Sequence, residues 1–229
     1  MPTTALIVGA GSGLSASIAR LFAKEGITVA LAARQIDKLS QLSSEIGAAT
    51  FAADVSKPDE VEQLFIDVEN KVGSPNIVVY NPSFRVRGPL IDLDPTDVAK
   101  TLDITAYGGF LVAQAAAKRM LEQGGGAIFF TGASASVKGY SQSAPFAMGK
   151  FALRGLAQSI ARELAPKNIH VAHFVIDGAI RSAVRPDPVD KPDSTLDPDA
   201  IALTYLNILY QPRSAWTWEV ELRPWVEHF

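Results

Sequence analysis

Two short motifs in this sequence have residue types and spacings that could support chemistry. The first follows the N-terminal apolar run, where glycines stand at positions 9, 11 and 13 and a helical pattern begins at Leu14. Glycines in such a turn let the backbone approach a pyrophosphate, and the N–H groups at the start of the helix point toward it. A turn that merely needs glycine is the alternative reading. The position between a first strand and a helix favours nucleotide binding.

The second motif lies in the stretch GYSQSAPFAMGK (139–150), where Lys150 stands four residues after Phe146. Pro145 suits the first turn of a helix, so Phe146 and Lys150 are expected on one helix face. Lysine can hold a ligand hydroxyl or carry a proton, whereas phenylalanine has no proton to give. Any acid–base step at this face must therefore use a group other than residue 146.

The elements that must position these motifs alternate along the chain. Apolar runs with little in/out alternation predict strands that are covered on both faces, at 5–9, 27–33, 48–54, 76–81, 126–132 and 169–176. Periodicity near 3.6 predicts helices at 14–25, 35–46, 58–72, 96–122 and 145–164. This order predicts an α/β fold, a doubly wound parallel sheet of about seven strands with helices on both faces. Residues 1–229 are expected to form a single domain.

Composition restricts the class of partner. The net charge of −3 gives no electrostatic reason to expect nucleic acid, and the absence of cysteine excludes thiolate chemistry. His170 and His173 are three apart in a predicted strand and point to opposite faces, so we expect no metal site there. The N-terminal apolar run is short and ends in glycines, which fits a strand. We expect a cytoplasmic protein without a membrane partner.

Four stretches together resemble the short-chain dehydrogenase/reductase family. Gly9-x-x-x-Gly13 is similar to the family's Gly-x-x-x-Gly-x-Gly, with Ser15 in place of the third glycine. Asp54-Val55 matches its adenine-contacting pair, and Phe146-x-x-x-Lys150 occupies the place of its Tyr-x-x-x-Lys. Residues 177–182 resemble its Pro-Gly-x-Val-x-Thr. The resemblance covers nearly the whole chain and implies a Rossmann-type fold that binds a nicotinamide cofactor.

The resemblance also assigns roles to residues. It implies a cofactor contact for Gly9, Gly11, Ser12, Gly13, Leu14, Arg34, Asp54, Val55, Asn81, Lys150, Gly178 and Ser182. The family's catalytic asparagine, serine and tyrosine correspond here to Thr105, Ala133 and Phe146, and only the lysine is retained. Lys150 and the neighbouring Ser134 are therefore the predicted catalytic residues. Tyr80, Tyr107 and Tyr140 are alternative proton donors, each more typical of a structural residue.

The choice of cofactor follows from charge at the end of the second strand. Sites that prefer NAD place an acid there to bind the ribose 2′-hydroxyl, whereas arginine accommodates a 2′-phosphate. Ala33 stands at the family's acid position and Arg34 follows it. An ordinary surface arginine is the alternative. We predict NADP as the cofactor, with NAD less favoured.

Two functions remain open from the sequence. One is an atypical NADP(H)-dependent oxidoreductase that acts on a small carbonyl, alcohol or activated alkene; the other is an NADP(H)-binding protein without redox turnover. The proline- and aspartate-rich segment 183–199 is expected to be a substrate loop. Residues 216–222 alternate like a strand, and the tryptophan-rich segment 216–229 is predicted to contact another copy. The family's habit of assembly implies a homodimer or homotetramer.

Overall fold

The computed structural model describes residues 3–227, and seven parallel strands form one sheet in it. The strands are β1 Thr4–Val8, β2 Thr28–Ala33, β3 Ala49–Ala52, β4 Ile77–Tyr80, β5 Gly126–Thr131, β6 Ile169–Ile176 and β7 Glu219–Leu222. Their order in the sheet is β3-β2-β1-β4-β5-β6-β7, and every neighbouring pair is parallel. The order reverses between β1 and β4, which is where doubly wound sheets bind ligands.

Helices cover both faces of the sheet. They are α1 Leu14–Lys24, α2 Ser40–Ile46, α3 Pro58–Val72, α4 Pro95–Leu102, α5 Gly108–Gln123, α6 Ala144–Leu164 and α7 Pro198–Leu209. Helices α3, α5 and α6 enclose one apolar core, and α1, α2 and α7 enclose the other. All residues of β1, β4 and β6 are buried, which explains why these strands read as continuous apolar runs. The predicted fold class is confirmed.

Three predicted boundaries were wrong. The helix expected at 96–122 is divided by a π-helical turn at Asp103–Tyr107, between α4 and α5. The loop expected at 183–199 ends earlier, because Asp197 accepts a hydrogen bond from the Asp199 N–H (2.9 Å) and caps α7. Helix α7 was not predicted. The helix expected at 35–46 begins with a 3₁₀ turn, Ile36–Leu39.

The C-terminal strand is shorter than expected and lies at the edge of the sheet. Trp216 precedes it and stacks on His170, with ring centroids 4.6 Å apart, and its indole N–H donates to the Gln211 carbonyl (3.2 Å). Trp218 and Trp225 are 36% and 76% exposed. The predicted assembly through 216–229 stays a prediction, and residues 228–229 lie outside the described residues.

Two further features of residues 3–227 concern function. No helix among them is long and apolar enough to cross a membrane. Nor do these residues contain a group of three or more histidine, aspartate or glutamate side chains placed to hold a metal ion.

Candidate functional site

A cleft of about 1070 Å³ opens at the carboxyl ends of β1, β2 and β4, beside the switch point of the sheet. Its lining includes seven of the residues that the sequence predicted for the cofactor: Gly9, Gly11, Ser12, Arg34, Asp54, Val55 and Asn81. Gly13 and Leu14 lie beside it, at the cap and first residue of α1. The N–H groups in the first turn of a helix lack acceptors within the helix, so this end can bind an anion.

The three glycines of the first turn serve different purposes. Gly9 has φ +78°, and a Cβ there would lie 2.6 Å from the backbone nitrogen of Pro82, so the fold itself requires glycine. Gly11 and Gly13 are not in the positive-φ region, and a Cβ on either would meet no protein atom within 4 Å. The protein thus leaves open the space over Gly11 and Gly13. A dinucleotide pyrophosphate fits this arrangement because it needs close approach to the backbone.

Ser15, which replaces the family's third glycine, ties the glycine turn to the strand beside it. Its buried hydroxyl donates to the Gly9 carbonyl (3.2 Å) and accepts from the side-chain amide of Asn81 (2.7 Å). The hydroxyl is therefore used inside the protein. Asn81 follows β4, so this pair of hydrogen bonds fixes the two loops on either side of the switch point.

The far end of the cleft carries two cations. Arg34 and Lys38 are exposed side chains that line it, and neither forms an ion pair within residues 3–227. Asp54 also lines the cleft; burial raises the pKa of its carboxyl, but hydrogen bonds from the Ser56 hydroxyl (2.7 Å) and N–H (3.0 Å) and the Arg34 charge bring the pKa below its usual value. Lys38 is not among the cofactor contacts predicted from the sequence. Its position four residues after Arg34 is a signal that could have indicated a second cation at this end of the cleft.

Lys150 lies one helical turn after Phe146 on α6, as predicted. Its side chain is buried, its ammonium donates to the Thr131 carbonyl at the end of β5 (2.7 Å), and Nζ lies 5.9 Å from the centroid of the Phe146 ring. Burial lowers the pKa of Lys150 to about 8. An amine with such a pKa can exchange a proton near neutral pH.

The residues at the family's asparagine and serine positions, Thr105 and Ala133, present no side-chain hydroxyl or amide to a substrate in the cleft. Thr105, in the π-helical turn, packs against Gly149, where a Cβ would lie 3.0 Å from the threonine Cβ. Its hydroxyl is buried without a hydrogen-bond partner among the described residues. Ala133 provides only its backbone N–H, which donates to the Ser136 hydroxyl (3.1 Å).

Ser134, the predicted catalytic serine, begins a 3₁₀ turn (Ser134–Ser136) after β5. It lies beside Asp177, whose carboxylate accepts from Lys138 (2.9 Å). Burial raises the pKa of Asp177, but the nearby Ser134 hydroxyl and Lys138 ammonium lower it below its usual value. The next residue, Gly178, has φ +149° and no room for a Cβ, which would lie 2.8 Å from Pro224. The fold itself therefore requires glycine at position 178, independently of the predicted contact with the cofactor.

Four tyrosines are candidate substitutes for the missing hydroxyl. Tyr80 is buried and donates to the Ile104 carbonyl, and burial together with the Asp54 charge raises its pKa. Tyr205 is buried in the core enclosed by α1, α2 and α7, on the opposite face from Lys150, and burial raises its pKa. Tyr107 stacks on Phe110 and is exposed. Tyr140 is 47% exposed. None has its hydroxyl bonded to Lys150.

A buried polar chain supports the turn after β5. The Ser136 hydroxyl contacts His173 Nε2 (3.3 Å), and His173 Nδ1 contacts Glu219 (3.1 Å), which receives two hydrogen bonds from Arg154 (2.6 and 2.7 Å). Burial lowers the pKa of His173 to about 4. Ser136 and His173 are both fully buried, so this series of hydrogen bonds positions the backbone of the turn after β5. His170 faces the other side of the sheet and contacts the Thr217 carbonyl (2.8 Å), as the predicted alternation requires.

The fold is of the doubly wound α/β class, and the cleft lies at the switch point where proteins of this class bind dinucleotides. The chain belongs to the short chain dehydrogenase family, whose sequence profile matches residues 3–189. An uncharacterised oxidoreductase of Staphylococcus aureus (strain N315) is 28% identical over 226 residues, which cover 96% of each chain.

Solved structures agree with this assignment. A short-chain dehydrogenase from Rhodopseudomonas palustris is 36% identical with a TM-score of 0.84, over 98% of this chain and 100% of that one. A metagenomic short-chain oxidoreductase, solved in complex with NADP, is 25% identical with a TM-score of 0.85, over 97% of each chain. The chain is therefore similar in fold, along nearly its whole length, to oxidoreductases of this family.

Proposed function

We propose that the protein is an atypical NADP(H)-dependent oxidoreductase that acts on a small carbonyl, alcohol or activated alkene. The observation that carries this proposal is the buried Lys150 amine, with a pKa of about 8, one helical turn from the residue at the family's tyrosine position. It gives the site a proton donor and acceptor that works near neutral pH.

The preference for NADP is supported by the charge of the cleft. Arg34 and Lys38 both line it, and neither is neutralised by an ion pair among the described residues. A guanidinium fork and an ammonium together suit the oxygens of a ribose 2′-phosphate. The metagenomic relative was solved with NADP, which is consistent with this choice.

In this proposal, residues of this chain have separate roles in cofactor binding and proton transfer. Gly11, Gly13 and the first turn of α1 hold the pyrophosphate, and Lys150 holds the nicotinamide ribose. Bound NADPH supplies the hydride. Ser134 is the proposed donor to the substrate oxygen, for which its hydroxyl would turn away from Asp177, and Lys150 provides the proton that the product alkoxide needs. At pH 7 an amine with a pKa of about 8 is mostly ammonium, so it is in the correct state to donate.

A second function is favoured by the Phe146 ring itself. Phe146 carries no hydroxyl, and the side chains of Tyr80 and Tyr205 are buried and hydrogen-bonded elsewhere. A protein that binds NADP(H) without redox turnover would have these features. It would act as a sensor, a partner subunit or a catalyst of a non-redox step.

Steady-state assays that follow the nicotinamide absorbance of NADPH against a panel of carbonyls and activated alkenes distinguish the two functions. The oxidoreductase is expected to show turnover that falls as pH rises through about 8. Lys150→Met should lower kcat by roughly 10²- to 10⁴-fold. Lys167→Met, which removes an exposed lysine on α6's C-terminal extension, is the matched control and should have no effect.

Phe146→Tyr separates the alternatives further. A tyrosine hydroxyl at this position would lie near the Lys150 ammonium, where the positive charge lowers its pKa. Turnover that appears only in Phe146→Tyr, with wild-type protein binding NADPH but inactive on the whole panel, would establish the second function and contradict the first.

A further inference from the structure

Two loops bring three arginines to the mouth of the site. Arg85 and Arg87 lie in the segment after β4, where the Gly88 N–H donates to the Gln142 carbonyl (3.1 Å) and so joins this segment to the turn before α6. The Arg85 guanidinium carbon lies 4.9 Å from the centroid of the Phe146 ring. Arg85 thus covers the residue at the family's tyrosine position.

The third arginine comes from the loop after β6. Arg185 exchanges two backbone hydrogen bonds with Ser182, both 3.0 Å long. Ser182 is the residue predicted at the nicotinamide carboxamide, so a cofactor bound as predicted would place Arg185 next to its redox end. Arg85, which lies against Phe146, is close enough to Arg87 and Arg185 to interact with both of their charges, whereas Arg34 and Lys38 line the cleft beside the end of β2.

No carboxylate in the described part of the chain neutralises these charges. Within residues 3–227, Arg85, Arg87 and Arg185 form no ion pair with a carboxylate. Two acids of the neighbouring loop are already engaged, since Asp187 and Asp197 both bind Arg181. Burial lowers the pKa of Arg85, and the nearby charges of Arg87 and Arg185 lower it further.

Like charges brought together cost free energy that a bound anion recovers, although solvent screens this cost because the three side chains are exposed. The chain as a whole is acidic, with a net charge of −3, so the cluster does not reflect a basic surface in general. Arg85 is already held against the Phe146 ring. Its fork is therefore partly fixed before a ligand arrives, which reduces the entropy lost on binding.

We propose that the substrate of this site is an anion, a small oxo or hydroxy compound whose carboxylate or phosphate group is held by Arg85, Arg87 and Arg185. This inference rests on the proposed function and specifies its substrate class. The Phe146 ring supplies an apolar wall for the carbon atoms between the anionic group and the reacting carbon. The Phe146 ring is uncharged, so it does not form an ion pair with the arginines. Their guanidinium groups therefore remain available to the anionic group of the ligand.

Calorimetry on the complex with NADP⁺ tests the inference without requiring turnover. The probes are matched pairs: a short oxo acid against its methyl ester for the carboxylate, and dihydroxyacetone phosphate against dihydroxyacetone for the phosphate. The anionic member of at least one pair is expected to bind roughly 10- to 100-fold more tightly, and added salt should reduce the difference. The pair that shows the difference identifies the anionic group.

Arginine variants assign the effect to the cluster. Arg85→Gln and Arg185→Gln should each weaken binding of the anionic probe roughly 10-fold or more and leave its neutral partner unchanged. Arg162→Gln removes an equal charge from the outer face of α6 and should change neither. All three variants should keep wild-type affinity for NADPH.

Several results would overturn the inference. Equal affinity for both members of each pair would do so, as would a loss of anion affinity in Arg162→Gln that equals the loss in Arg85→Gln. A loss of NADPH affinity in Arg85→Gln and Arg185→Gln would assign the arginines to the cofactor. Failure of the proposed function looks different: anions bind through these arginines, but no probe is reduced. Turnover of neutral probes alone would refute the substrate class and keep the oxidoreductase.

Discussion

Protonation of His173 is expected to destabilise the protein as pH falls below 6.5. In the folded protein, burial lowers the pKa of His173 to about 4, although the Glu219 carboxylate opposes this effect. The unfolded chain has the usual value of 6.5. Because the folded state binds the proton less readily, the stabilisation is complete above pH 6.5 and is lost as pH falls toward 4.

The size of the effect follows from the two pKa values. Each unit of difference corresponds to about 1.4 kcal/mol, so the full pH dependence from His173 is about 3 kcal/mol. Between pH 7 and pH 5 the expected loss in the free energy of unfolding is about 2 kcal/mol. A domain of this kind is stable by roughly 5–15 kcal/mol, so the loss is measurable by denaturant titration.

Urea unfolding at pH 7 and pH 5 should be measured for wild-type protein and for His173→Gln. The variant cannot be protonated at this position, so its stability should fall by about 2 kcal/mol less between the two pH values. His170→Gln is the matched control on the same strand; burial lowers the pKa of His170 as well, but this variant should keep the contribution of His173. The reasoning is refuted if wild-type protein and His173→Gln lose equal stability.

Four further results are expected. Ser15→Ala should destabilise the fold by about 1–3 kcal/mol in urea titration, because Gly9 and Asn81 lose a buried partner. Ser17→Ala should cost much less, because Ser17 is buried on the same helix but its hydroxyl has no hydrogen bond to another described residue. Arg34→Gln should weaken NADPH binding roughly 10-fold in calorimetry and leave NADH unchanged, and equal losses for both would contradict NADP selectivity. Gly178→Ala should lower the melting temperature, because its Cβ would clash with Pro224 at φ +149°; an unchanged value would refute this. Light scattering at micromolar concentration should show an assembly of two or four chains, and a 24.4 kDa species would exclude it.

The strands and the cofactor turn could be predicted because each depends on a short stretch of sequence. Continuous burial makes the strands visible as apolar runs, and the glycine turn is local to 9–13. Helix α7 was missed although Asp197 and Pro198 are ordinary start signals for a helix. The prolines and aspartates before it were interpreted as a loop, and apolar residues cover so many positions of α7 that no single stripe is visible.

The interior of the site could not be predicted because its contacts join residues far apart in sequence. Asn81 is 66 positions from Ser15, so the sequence showed both residues but not the hydrogen bond between them. The support of the turn after β5 is similar, since Ser136, His173 and Glu219 come from three different elements. The contact between Arg85 and Phe146 likewise joins residues far apart in sequence, so it emerges only from the fold.

The substitution at position 146 connects the two proposals. A phenylalanine ring cannot pair with Lys150 as a phenolate would, and the ammonium instead donates to the Thr131 carbonyl in a buried setting that lowers its pKa to about 8. The same ring offers an uncharged face on which Arg85 rests. A tyrosine would compete for the lysine and bring a titratable hydroxyl beside the arginines. The site therefore combines an amine of near-neutral pKa with arginines that form no ion pair among the described residues, and the two proposals together predict a negatively charged substrate that Lys150 protonates.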